Sequence, residues 1–305
     1  MSTAKDQRRG VLITGCSQNG LGYALAVAFH NAGLRVFATA RDTSRMSGLE
    51  NLGIECLKLD VCDEDSTREC VEEVSKLTDG ALDCLVNNAG GGYNMPISDI
   101  SVQEAKALFD LNVWSYISVT QAFLPLLLQA AKHPSAAPDA KSSSSRPSLI
   151  INNTSISSVE PTPHNSVYNA SKAAAAMFST HMRIELGPFN VRVVDLKTGC
   201  VHSKFHANHQ AGNASLPSTS IYLPVKDETE SAMRNAFPHR EDPEKWARDV
   251  VGDIVRHWNN PPTEVWRGTG AWKTWFANSF FPVGWWDESW RRAVGLHLLK
   301  GRLHC

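Results

Sequence analysis

Short apolar runs recur along the chain, and longer stretches with helical spacing separate them. Val11-Leu12-Ile13, Leu82 to Val86 and Leu149-Ile150-Ile151 are continuous rather than alternating. That is the pattern of strands covered on both faces. Together with similar runs, they predict strands near 10–14, 35–40, 54–59, 82–86, 148–153, 191–196 and 263–267. The stretches between predict helices near 20–32, 64–77, 101–111, 113–131, 166–186 and 243–258. Such alternation implies an α/β fold: a doubly wound parallel sheet with helices on both faces and ligand at the C-terminal strand ends. Two segments fall outside the rhythm. Lys132 to Pro147 is rich in Pro and Ser and reads as a solvated insertion. Residues 269–305 form an aromatic-rich extension.

The first strand runs into Thr14-Gly15-Cys16-Ser17-Gln18-Asn19-Gly20-Leu21-Gly22 and then a helix. Strand, glycine-rich turn and helix together suit a pyrophosphate, which meets bare backbone and free N–H groups at the positive helix end. Farther on, Tyr168 and Lys172 stand four apart in a helix-forming run, so they share a face. A phenol beside an ammonium reads as a tuned general acid/base. Ser155 follows a strand and is placed to hold a substrate oxygen.

The conjunction of these motifs, with Asn87-Asn88-Ala89-Gly90 and Leu111-Asn112-Val113 between them, resembles the short-chain dehydrogenase/reductase family over residues 9 to 268. The resemblance implies a single Rossmann-type catalytic domain over 1–268, with a substrate lid at 200–240. It implies Ser155, Tyr168, Lys172 and Asn112 as catalytic residues. Expected cofactor contacts are Gly15, Ser17, Asn19, Gly20, Leu21 and Gly22 in the turn, then Arg41, Asp60, Val61, Asn88, Ala89 and Gly90. Tyr168, Lys172, Val201 and Ser203 complete that set. Two departures stand out. Four residues rather than three separate Gly15 from Gly20, so the turn should bulge, and Thr198-Gly199 replaces the family's Pro-Gly. Phe189 to Val193, Ser220-Ile221-Tyr222 and Val265 to Gly268 further resemble the 1-acyl-dihydroxyacetone-phosphate reductase branch, itself similar to 17β-hydroxysteroid dehydrogenases.

The expected cofactor is NADPH (NADP+). Ala40 stands where an acid would select NAD, and Arg41 follows, able to pair with a 2′-phosphate. Asp42 should turn outward; the plainer alternative is that Arg41 only caps the next turn. These features imply reduction of a ketone on an apolar lipid, steroid-like or polyketide-type substrate. A non-redox isomerase, dehydratase or cyclase on the same scaffold, or an NADPH-binding regulator, is the alternative; the intact Ser-Tyr-Lys set argues against both.

Composition narrows the rest. The 305 residues are 42% hydrophobic with net charge −1, which excludes a general nucleic-acid binder. Seven scattered cysteines without C-x-x-C spacing point to free thiols in a reducing, cytoplasmic setting, and no metal site is expected. Cys16 and Cys200 read as inert, and His202, His206 and His209 as a polar rim of the lid. No run of about 20 apolar residues is apparent for crossing a bilayer. A homo-oligomer through helices 113–131 and 166–186 is implied by the resemblance. Six of the nine tryptophans lie between Trp266 and Trp290, with basic residues after them. Those rings either wall an apolar pocket or meet a partner subunit, or they make peripheral contact with a membrane.

Overall fold

Seven strands form one sheet in the computed structural model: β1 (Gly10–Ile13), β2 (Arg35–Ala40), β3 (Glu55–Lys58), β4 (Cys84–Asn87), β5 (Ser148–Asn153), β6 (Val191–Thr198) and β7 (Glu264–Arg267). The residues described are 6, 8–132, 146–203, 215–234 and 239–302. The order is β3-β2-β1-β4-β5-β6-β7, and every pair is parallel. Chain order reverses between β1 and β4, which opens a crevice at their C-terminal ends.

The continuous apolar runs have the cause expected of them. Val11, Ile13, Val36, Ala38 and Val86 face one core, with Leu25 and Phe29 of α1 (Leu21–Asn31) and Trp246, Val250 and Ile254 of α7 (Pro243–Arg256). Leu12, Phe37, Leu85 and Ile150 face the other, with Val74 of α2 (Glu64–Thr78) and Phe123 and Leu127 of α4 (Ser115–Ala130). Side chains alternate faces along each strand, so both faces need apolar residues. Helix starts are marked by short acceptors: Asp63 takes the Ser66 N–H at 2.6 Å, and Asp242 takes that of Lys245 at 2.8 Å.

One difference from the sequence reading matters for the site. The predicted break at Asn112 is absent. The helix runs continuously from α3 (Val102–Phe109) through a wide π-type turn, Asp110–Trp114, into α4. Such turns recur at functional sites because the extra residue re-aims a side chain. The whole span Val102–Ala130 is long and apolar enough to cross a membrane by length and composition, contrary to the sequence expectation. It is a core helix: Val119, Phe123 and Leu127 are buried against the sheet.

After α5 (Ser166–Leu186), the described part of the expected lid holds α6 (Lys226–Met233). This part is fastened down: Ser220 donates to Asp99 at 2.6 Å, and Ser215 donates to Glu230 at 2.9 Å. The extension folds as α8 (Ala271–Phe280), α9 (Asp287–Ala293) and α10 (Leu299–Arg302). Most of the Lys132 to Pro147 insertion, and His206 and His209, lie outside the described residues.

Candidate active site

The glycine turn is built by close backbone approach. Gly15 has φ 75, and a Cβ there would meet the Ala89 Cα at 2.9 Å. A Cβ on Gly22 would meet Asn88 Nδ2 and Gly15 O, each at 2.5 Å. The extra residue is accommodated by Asn19, exposed at φ 63 in the left-handed region that asparagine tolerates. The Gly20 N–H then closes onto Ser17 O at 3.0 Å, and α1 begins at Leu21. Thr14, which sequence reasoning passed over, ties this turn to the next loop. Its hydroxyl oxygen accepts from the N–H groups of Asn88 and Ala89, each at 2.9 Å.

A cavity of about 840 Å³ lies over these loops. It is lined by Gly15, Ser17, Gly20, Leu21, Arg41, Asp60, Val61, Asn88, Ala89, Gly90, Ser155, Tyr168, Lys172, Val201 and Ser203. Three candidates do not line it. Asn19 points to solvent, Gly22 is buried beneath the turn, and Asn112 is fully buried behind the wall. At the β2 end, Asp42 rather than Arg41 caps the following turn, accepting from Ser44 N at 3.0 Å and Ser44 Oγ at 2.7 Å. Those bonds hold its carboxyl below the ordinary range and leave Arg41 facing the cavity beside Arg45, a second cation the sequence did not single out.

At the other end, Tyr168 is hydrogen-bonded with Ser155. Burial pushes its phenol up to about 12, against the lowering effect of that bond. The expected lowering by Lys172, whose Nζ stands 5.9 Å from the Tyr168 ring centre, is therefore not what this pocket produces. The phenol stays protonated throughout the neutral range. Burial also brings Lys172 down to about 8, with Asp195 opposing. Its Nζ donates to Asn153 O at 2.9 Å. Asn153 is a hub: its Nδ2 donates to Asn88 Oδ1 at 2.9 Å, and its Oδ1 accepts from Thr198 Oγ1 at 2.6 Å. Thr198 thus replaces the usual proline with a hydroxyl that holds this hub. Asn112 acts on the backbone. Its Oδ1 accepts from Gly91 N at 2.8 Å, and its Nδ2 donates to Ser171 Oγ at 2.9 Å. Ser171 in turn donates to Tyr168 O at 2.7 Å.

Beyond Ser155 the cavity is walled by Ile156, Glu160, Thr274, Trp286 and Trp290. Thr274 donates to Glu160 Oε2 at 2.6 Å, which pins α8 to this wall. Trp286 and Trp290 therefore wall the pocket, whereas Trp272, Phe276 and Phe280 are exposed and stack among themselves. Cys16 is buried with its thiol pushed up to about 12, and burial raises Cys200 too, so neither is a ready nucleophile.

The short chain dehydrogenase family matches residues 9–214. A short-chain dehydrogenase/reductase of Pestalotiopsis microspora is 41% identical over 299 residues, covering 97% of each chain. An NADPH-dependent 1-acyldihydroxyacetone phosphate reductase of Schizosaccharomyces pombe is 40% identical over 218 residues, 71% of this chain and 68% of its own length. Among solved structures, a short-chain dehydrogenase from Streptomyces avermitilis superposes with TM-score 0.72 at 24% identity, covering 97% of both chains. One from Burkholderia cenocepacia in complex with NADP gives TM-score 0.67 at 19% identity, over 94% of this chain and 97% of its own.

Proposed function

The chain belongs to the short-chain dehydrogenase/reductase family, and from that premise we propose that it is an NADPH-dependent reductase of a ketone on an apolar substrate. The observation that carries this reading is the Ser155–Tyr168 hydrogen bond in a cavity whose far end holds Arg41 and Arg45.

The residues present fit the cofactor. Gly15, Gly20 and Leu21 line the cavity where α1 begins, Gly22 beneath them lets the turn close against Asn88, and the N-terminal end of α1 suits a pyrophosphate. Arg41 and Arg45 would take the 2′-phosphate; Lys172 would take the nicotinamide ribose; Val201 and Ser203 flank the nicotinamide end. When bound, NADPH supplies a hydride with its electron pair to the carbonyl carbon. Ser155 holds the carbonyl oxygen and stabilises charge as it forms there. Tyr168 gives its proton to that oxygen, which leaves a secondary alcohol. A phenol held near 12 is a donor at every neutral pH. The Lys172 ammonium offsets the phenolate left behind and can restore its proton. Asn112 keeps the Gly90-Gly91 backbone and the Tyr168 turn in register, with one Oδ1 lone pair left to hold a water near Lys172.

A homo-oligomer belongs to this reading. Trp114 on the turn before α4 and Met177 and Ile184 on α5 are 53%, 61% and 62% exposed, an apolar face for a second copy. The described cysteines are all free, which suits the cytoplasm. The exposed rings of α8 add peripheral contact with lipid surfaces. The test is NADPH oxidation with a panel of neutral ketones and identification of the alcohol. Ketone-dependent oxidation supports the reading; isomerised or dehydrated product without net oxidation would replace it.

A further inference from the structure

The catalytic cavity shares part of its wall with a neighbour. Asn94, Thr162, Asn165 and Trp290 line it and also line a second cavity of about 500 Å³. The loop that carries Asn94 is tied down on two sides. Asn94 Nδ2 donates to Met233 O at 2.6 Å, which fixes the loop after β4 to α6. Met95 N donates to His164 O at 2.7 Å, which fixes it to the loop before α5. His164 adopts φ 62, and its ring packs edge-on against Tyr222 at 5.7 Å. Trp290 of α9 lines both cavities as well.

The far cavity suits a neutral chain. Met233, Val294 and Leu298 supply apolar surface there. The charges that border it are already paired: Glu228 with Arg302 at 3.1 Å, and Arg292 with Glu288 at 2.7 Å. A charged ligand end would compete with these pairs. The first cavity must hold both the cofactor and the reacting end of the substrate, so a long substrate needs the second.

We propose that the second cavity takes the apolar far end of an extended, linear ketone, and that Trp290 sets the width of the passage between the two chambers. This rests on the ketone reduction proposed above and narrows it: an acyl-type chain passes beside an indole where a fused-ring skeleton is obstructed.

The experiment measures equilibrium binding of hexan-2-one, dodecan-2-one and the fused-ring ketone 2-decalone to protein saturated with NADP+. In wild type, affinity should rise by about fourfold per methylene from hexan-2-one to dodecan-2-one. Ala232→Trp on α6 and Ala293→Trp on α9 fill the chamber from two sides. Each should lower the dodecan-2-one to hexan-2-one affinity ratio by about tenfold or more. Trp290→Ala should raise affinity for 2-decalone relative to hexan-2-one. Equal wild-type affinity for the two linear ketones overturns the proposal. So does a ratio unmoved by both filling variants when circular dichroism shows them folded. If neither variant folds, the wild-type series and Trp290→Ala still decide. Because binding is read without turnover, a protein that gains affinity with chain length yet never oxidises NADPH would sink the reductase reading and leave the chamber standing.

Discussion

Removing the Arg41 guanidinium should cost NADPH and spare NADH. Arg41 is exposed at the mouth of the cavity, and the Asp42 carboxylate beside it bonds Ser44 rather than the guanidinium. A hydrogen bond between charged groups is worth about 1.5–3 kcal/mol. Exposure to solvent argues for the lower part of that range, about 1.5–2 kcal/mol. Arg41→Ala should therefore lower kcat/KM for NADPH by about 10- to 30-fold. NADH carries no 2′-phosphate, and its kcat/KM should change by less than about twofold. Arg45 lines the same end and keeps part of the attraction, so the double variant Arg41→Ala/Arg45→Ala should lose more than Arg41→Ala alone. The assay is initial-rate NADPH and NADH oxidation at low and high salt, since screening should shrink the Arg41 effect. Equal losses for the two cofactors would refute a phosphate contact and make Arg41 a structural residue.

Lys172 is charged below its pKa of about 8, so kcat/KM for NADPH should fall as pH rises through that value, and the limb should vanish in Lys172→Arg. Stability should move the other way: the unfolded chain holds the Lys172 proton above pH 8 while the folded one releases it, so wild type gains stability there and Lys172→Met does not. Deleting Ser135 to Ser145 with a short glycine closure should change kcat by less than about twofold, because halving a loop shifts closure by only about 0.6 kcal/mol. The flanks of that segment lead into the N-terminal end of β5, opposite the site, and a large loss of kcat would place it at the site instead. Wild type should co-sediment with anionic liposomes, and Trp272→Ser/Phe280→Ser should not, since each exposed ring contributes on the order of 1.5–3 kcal/mol when buried in lipid. Equal sedimentation of both proteins would remove the lipid contact.

Much of the fold was legible because both sheet faces are covered. Continuous apolar runs such as Leu149-Ile150-Ile151 located strands to within a residue or two. Local spacing was enough for Tyr168 and Lys172, which share one turn of α5, and for the glycine turn. Features fixed by distant pairings were not legible. The Asn153 hub joins Lys172, Asn88 and Thr198 across three strands. Thr274 meets Glu160 from 114 positions away, so nothing local announced that α8 closes the pocket. The division of the tail's rings also needed coordinates. Gly284 at φ 92 turns the chain between α8 and α9, which sends Trp286 and Trp290 inward and leaves the rings of α8 outside. The wide turn at Asn112 left no mark in the apolar pattern, since Leu111 and Val113 suit a helix or its end equally.

The proton donor is the most direct point of test. Tyr168→Phe removes one hydroxyl and keeps the ring that packs under Lys172. Single-turnover NADPH oxidation would be followed with the best neutral ketone of the panel, alongside equilibrium NADPH binding. Loss of a general acid slows the reaction by about 10²- to 10⁴-fold, and NADPH binding should stay within about twofold of wild type. Oxidation by Tyr168→Phe at close to the wild-type rate, with the same alcohol formed, would contradict the assignment of Tyr168 as the acid and with it the proposed mechanism.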